Sequence, residues 1–435
     1  MPREHLRSGR RPTECMRWSS SGGLLFNLRG VVTLWAMRHH VYLSPGMFGF
    51  GCLGSYNYFA HVERELAARF AAAGVELAAH VIEDLPTASI RRRATRLAEI
   101  VSQTSGGEPV HLLGHSTGGL DARLAASPAT RSIPATILDW IPRLRSVTTM
   151  NTPHFGTPLA SFFTTAQGQH ALAALSVLTF AGLSLGAQPL AAASVILGVL
   201  RGSDTRFPFK LRMLDRSVQS IVGLVDDARS PEVRTFLSAI EDDQGAMLQL
   251  SPESMDLVVA GFEDRPGVVY QSTASMAPSP RPRRWIETFG HPWRTVSLSL
   301  FFGLHRVTAA HDPRYPCAAM RDTAPWSGEA NEALLARALS AAPPLGANDG
   351  VVPIRSQLWG TLVWAGLGDH LDVLGHYRDD RDPSTVPPEH RHRDWFTSGS
   401  DFGHVELTAL MDAIATGMLN APQAGAGNGT EPPRR

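Results

Sequence analysis

Three residues in this sequence stand in an order that could support nucleophilic catalysis. Ser116 sits within Gly114-His115-Ser116-Thr117-Gly118, a G-x-S-x-G pattern, and Asp349 and His370 follow it along the chain. A serine hydroxyl is a poor nucleophile until a neighbouring imidazole takes its proton. A buried carboxylate then fixes the imidazole tautomer and stabilises the imidazolium. At neutral pH histidine is the side chain suited to both proton transfers. His370 lies 21 residues after Asp349, and His404 lies 55 after it at the start of the last helical stretch, so both are candidates for the base. The bare pattern is weak evidence. Asn348-Asp349-Gly350 is a favoured turn sequence on its own, and His115 and His154 read as packing or loop-bracing residues.

The elements around the serine carry more weight. A short apolar run beginning at Val110 reads as a buried strand, and Leu120 to Ala126 continues with helical spacing. Strand, tight glycine turn and helix form the context in which G-x-S-x-G becomes a nucleophile elbow. The flanking glycines lack the Cβ atoms that would block so sharp a turn. Strands are expected at His40 to Leu43, Val75 to Ile82, Arg145 to Met150, Gly267 to Ser275 and Leu358 to Trp364. Helices are expected at Phe59 to Ala73, Ser89 to Ser102, Val296 to His305, Glu329 to Leu339 and Val405 to Leu419, with Ala277 to Pro282 a loop. That alternation predicts an α/β protein with a mostly parallel central sheet and helices on both faces. Arg91-Arg92-Arg93 reads as a solvated helix face.

Composition narrows the classes. The 435 residues are 43% hydrophobic, enough for a sizeable core, and forty basic residues balance forty acidic ones. That balance offers no electrostatic footprint for nucleic acid. Cys15, Cys52 and Cys317 are scattered, an odd number without zinc-site spacing. Residues 1–36 carry no recognisable signal peptide, since Arg29 interrupts the apolar run, and they read as a disordered or mis-annotated leader ahead of Met37. From Ser146 to Leu200 there is no Asp, Glu, Lys or Arg. Gly186-Ala187-Gln188-Pro189 splits that stretch into pieces shorter than the roughly 20 residues of a membrane span. A pair of apolar helices capping an apolar site is the expectation, with core helices or a membrane-inserted hairpin as alternatives. The division that follows is leader 1–36, core 37–157, helical cap 158–262, core 263–420 and disordered tail 421–435.

In its ordered motifs the chain resembles the bacterial true lipases of the α/β-hydrolase superfamily. The resemblance rests on Pro45-Gly46-Met47-Phe48-Gly49, on Gly114 to Gly119, and on Asn151-Thr152-Pro153-His154. Asn348-Asp349-Gly350 and Asp369-His370-Leu371-Asp372 complete the set in the family's order. It implies an α/β-hydrolase fold with Ser116 as nucleophile, Asp349 as acid and His370 as base, and with the N–H groups of Met47 and Thr117 as the oxyanion hole. The family usually has His-Gly where this chain has Pro45-Gly46, which puts the loop's supporting hydrogen bonds in question. The family's structural calcium uses an aspartate two residues after the base, matched by Asp372. The second carboxylate is not fixed by spacing, and Asp322 is the guess. A zinc site from His370, Asp372 and His376 competes with it. The chemistry itself needs no cofactor.

The implied function is hydrolysis of carboxylic esters of lipid-like acyl chains. The expected partners are an apolar ester substrate and, through the cap, a lipid surface, with no nucleic acid. The expected location is cytoplasmic with membrane association. The same triad would also serve an acyltransferase or a polyester depolymerase, and a catalytically silent binding protein is the rival from another class.

Overall fold

Val110–His115 (β5) is buried at every position, as a strand covered by helices on both faces must be. It pairs in parallel with Arg38–Ser44 (β1) on one side and Leu144–Met150 (β6) on the other. Beyond β1 lies Glu76–Val81 (β4), and beyond β6 lie Val269–Met276 (β7) and Thr361–Leu367 (β8). The order β4-β1-β5-β6-β7-β8 is parallel throughout. Chain direction across the sheet reverses at β1, which has β4 and β5 on its two sides. Ligands of such sheets bind beyond the carboxyl ends of the strands at that reversal. This computed structural model describes residues 37–47, 52–53, 56–83, 88–165, 168, 171–172, 175, 245–279, 281–288, 290–310, 328–381, 385–387, 391–392 and 394–422.

Side chains alternate across the strands and so feed two cores. Val41, Leu43 and Leu113 join the cluster that includes Leu66 and Phe70 of Ala60–Ala72 (α1) and Leu407 and Leu410 of His404–Leu419 (α10). Tyr42 and Leu112 join Leu97 and Val101 of Ile90–Thr104 (α2) and Ala122 of Thr117–Ala126 (α3). Truncating a fully buried leucine such as Leu66 to alanine costs about 2–5 kcal/mol, so each face is a substantial source of stability. Ser89 caps α2 by accepting from the N–H of Arg92, which sets where that helix begins.

The expected sheet with helices on both faces is present, with local differences. The last strand begins at Thr361 rather than Leu358, because Ile354–Gln357 forms a 3-10 turn and Gly360 adopts φ +61°. The proline-rich stretch after β7 is not all loop: Pro282 opens a helix, Pro282–Glu287 (α7), where its missing N–H costs nothing. Within the glycine-rich segment after β1, Cys52–Leu53 (β2) and Tyr56–Asn57 (β3) form a small antiparallel pair.

Of the expected cap, Pro158–Phe163 (α4), Gly245–Gln249 (α5) and Pro252–Ala260 (α6) are described. Most of its apolar stretch lies outside the described residues, as do the leader, Cys15, Cys317 and residues 423–435. Pro292–Thr308 (α8) and Glu329–Ala338 (α9) precede the Asp349 turn. Among the described residues no helix is long and apolar enough to cross a membrane.

Candidate active site

Ser116 stands between β5 and α3 at φ 55°, ψ −128°, a backbone conformation that costs a non-glycine residue about 1–3 kcal/mol. The turn is held by the Ser116 N–H, which donates to Met150 O at 2.8 Å, and by the packing of its glycines. A Cβ on Gly114 would lie 2.1 Å from the carbonyl atoms of Gly118, and one on Gly118 would lie 2.0 Å from Ser44 O. Neither position has room for any side chain. Thr117 is the first residue of α3, so its N–H belongs to the helix-terminal groups without an intrahelical acceptor.

Asp349 is fully buried, and four donors meet its carboxylate. Val351 N and Val352 N donate to Oδ1 at 2.9 and 2.7 Å. Asn151 Nδ2 and His370 Nδ1 donate to Oδ2 at 2.9 and 2.7 Å. A charge taken out of water is tolerated only with this kind of satisfaction. The His370 N–H donates to Asp349 O at 2.9 Å, so backbone and side chain tie the two loops together. With Nδ1 protonated towards Asp349, Nε2 of a neutral His370 is left as the acceptor. The His370 ring packs 4.6 Å from that of His115, the residue before Ser116. Ser116 Oγ makes no hydrogen bond to a described residue, and such contacts commonly tighten only when substrate is bound. Asn151, named in a motif but given no role from sequence, also has φ 48° and donates to Ser275 Oγ at 2.6 Å.

His404 is exposed at the start of α10, whereas His370 is the histidine brought to Asp349. His154 is buried between Arg123 (Nδ1, 2.9 Å) and Thr149 (Nε2, 3.1 Å), away from the serine.

The Arg91 to Arg93 cluster divides, contrary to its reading as a solvated face. Arg93 is buried and reaches Asp121 of α3 at 2.7 Å, and it also donates to the Pro45 carbonyl. Ser44 Oγ donates to the same Asp121 oxygen at 2.9 Å. The Pro45-Gly46-Met47 loop is therefore clamped to the elbow helix by an ion pair that spacing did not reveal. Helical periodicity puts one residue of any three-residue run nearer the core, which was the only signal available.

Asp372, two residues after His370, accepts from Asp369 N at 2.8 Å and Ser400 Oγ at 2.6 Å. With Asp394, Ser398, Ser400 and Arg294 it lines a polar cavity of about 220 Å³. Burial, then the neighbouring Asp369, raises the Asp372 carboxyl well above the usual range, and burial raises Asp394 to about 7. Two such carboxylates beside hydroxyl oxygens are the hard donors a calcium ion takes, so the donor set fits. Asp322, the guessed second carboxylate, lies outside the described residues. Among the described residues no group of three His, Cys, Asp or Glu side chains is arranged to hold a metal, so any further ligands would be hydroxyl or carbonyl oxygens. His370, Asp372 and His376 in particular do not converge.

No protein-family model matches the chain, and no curated protein matches it. Solved structures with a similar course include Staphylococcus hyicus lipase, at 15% identity and TM-score 0.46 over 89% of this chain and 97% of that one. Lipase 1 from Pelosinus fermentans matches at 15% and 0.44, over 83% of this chain and 97% of that one. EstA from Clostridium botulinum matches at 17% and 0.42, over 85% and 87%. At these identities and TM-scores none of them lends this chain an activity. Its own sheet order, its serine on a strained strand-to-helix turn and the chain order Ser…Asp…His are those of the α/β-hydrolase fold.

Proposed function

We propose that this chain is a serine hydrolase that cleaves carboxylic esters of apolar, lipid-like acyl groups through an acyl-enzyme. The observation that carries the reading is the 2.7 Å bond from His370 Nδ1 to Asp349 Oδ2, whose imidazole packs against the residue preceding a strained serine. Ser116 Oγ attacks the ester carbonyl carbon while His370 Nε2 takes its proton, and the Asp349 carboxylate holds the imidazolium. The N–H groups of Met47 and Thr117 receive the oxyanion. A single donor of this kind is worth about 10²–10³ in kcat. Collapse breaks the ester C–O bond, and His370 returns the proton to the departing alcohol. Water then adds to the acyl-enzyme with His370 again as base, releasing the acid and Ser116.

The uncharged stretch from Ser146 to Leu200 supports an apolar acyl preference and contact with a lipid surface. An apolar acyl site discriminates weakly between neighbouring chain lengths. A structural calcium ion would be held by Asp372 and Asp394, bracing the loop that carries His370, and no chemical step requires it.

The test is hydrolysis of p-nitrophenyl esters of increasing acyl length by wild type, Ser116→Ala, His370→Ala and His404→Ala. The first two variants are expected to lose about 10³-fold or more in kcat and the third to keep its activity. A folded wild type that hydrolyses no ester and is not labelled by a serine-reactive phosphonate would sink the reading. Product analysis with alcohol acceptors and polymer films separates hydrolysis from acyl transfer and depolymerisation.

A further inference from the structure

The loop that would supply the Met47 donor passes through Gly46, and what holds Gly46 in place can be traced bond by bond. Gly46 crosses directly over the nucleophile: a Cβ built on it would lie 2.7 Å from Ser116 Cβ and 3.0 Å from the Tyr58 hydroxyl. Tyr58, just ahead of α1, is buried with its hydroxyl at the same point. That hydroxyl accepts from the Gly46 N–H at 3.4 Å and lies 2.7 Å from His115 Nδ1. The other nitrogen, His115 Nε2, is 2.9 Å from the carbonyl oxygen of His370.

A carbonyl can only accept, so Nε2 carries the proton. A neutral His115 then has Nδ1 as an acceptor, and the Tyr58 O–H donates to it. Burial, with the His370 ring next, pushes the His115 pKa well below its ordinary value and keeps it neutral. Every bond now has a direction. The line runs from Gly46 N–H to Tyr58 oxygen, from Tyr58 O–H to His115 Nδ1, and from His115 Nε2–H to the His370 carbonyl.

We propose that Tyr58 and His115 are positioning residues, a directed hydrogen-bond line that sets the oxyanion loop and the base loop in register around Ser116. This rests on the serine hydrolase reading. Neither side chain touches the reacting atoms. They act by fixing where the Met47 N–H and the His370 ring stand relative to the serine. A misplacement of about 1 Å at such a site can cost about 10²-fold in rate.

The experiment compares Tyr58→Phe with wild type and with Tyr42→Phe, a buried tyrosine whose hydroxyl instead meets Thr104 at 2.8 Å. Active enzyme is counted by phosphonate titration, so misfolded molecules do not enter kcat. Tyr58→Phe is expected to lower kcat about 10- to 100-fold with KM changed less than about twofold. It should weaken a trifluoromethyl ketone inhibitor in proportion to kcat, while Tyr42→Phe matches wild type. A purely structural role would lower the titrated fraction and leave kcat per active site unchanged, and that result overturns the proposal. Nitrogen-15 spectra of histidine-labelled wild type give a second reading that needs no variant. They must show His115 as the Nε2–H tautomer, and an Nδ1–H tautomer also overturns it. A wild type that hydrolyses no ester removes the hydrolase reading and this one together. An active wild type matched by Tyr58→Phe removes this one alone.

Discussion

The two ends of the sheet use histidine in opposite ways. At the carboxyl ends of the strands, His115 and His370 bond to groups on other loops, one to the His370 carbonyl and one to the Asp349 carboxylate. Near the start of β1 and β5, and across to His80 on the edge strand β4, the histidines bond to each other. His39 Nδ1 and His111 Nε2 are 2.9 Å apart, and His111 Nδ1 meets Ser146 Oγ at 2.8 Å. His40 Nδ1 and His80 Nε2 are also 2.9 Å apart, with Glu108 on the far nitrogen of His40. One end leaves the Ser116 hydroxyl without a hydrogen bond to any described residue. The other ties neighbouring strands together, histidine to histidine. Burial of a polar group therefore says little about its role until its partners are traced.

The sharpest way to break that contrast is Arg93→Met. It leaves the fully buried Asp121 without its guanidinium and frees the Pro45 carbonyl. A loss of about 3–5 kcal/mol in unfolding free energy is expected, together with a fall in kcat. The Arg93→Met/Asp121→Leu pair should regain much of the stability and little of the activity. Recovery of both in denaturant melts and assays would show that the ion pair stabilises the fold without serving the loop.

The other end should answer to acid. Burial lowers His39 and His80 to about 4 and His111 well below its ordinary value. The unfolded chain therefore binds more protons than the folded one between about pH 6.5 and 4. Through these groups, stability is full above pH 6.5 and falls as pH drops towards 4. The raised carboxyls of Asp369 and Asp394, at about 6 and 7, act with the opposite sign. The diagnostic is thus a difference: thermal melts of wild type and His39→Phe/His111→Phe at pH 7 and pH 4.5. The variant should lose less on acidification, and equal losses would remove the histidine pair as the cause.

The smallest expected effect is that of chelation. If Asp372 and Asp394 hold calcium behind the base loop, EDTA should lower Tm by a few degrees, about 1 kcal/mol in a chain of this size, and calcium should restore it. Asp394→Asn should abolish that response. An EDTA effect that survives in the variant places the ion elsewhere.

The readable parts of the sequence were those in which neighbouring residues decide the outcome. The glycine spacing around Ser116, the strand and helix periods flanking it and the chain order of Ser116, Asp349 and His370 are local or ordinal features, and each reappears in the structure. The choice between His370 and His404 was not local. It depended on how the turn at Asp349 and the loop after β8 meet, which only the packed sheet fixes. Asn151 and Asp349 lie 198 residues apart, and Tyr58 and His115 lie 57 apart. Arg93 looked like its two neighbours until helix packing buried one of the three. A backbone period constrains which face a side chain takes, but not which distant group it meets there. Those meetings are set by the way helices and loops close over the sheet, where an unmatched buried donor or charge costs too much to persist.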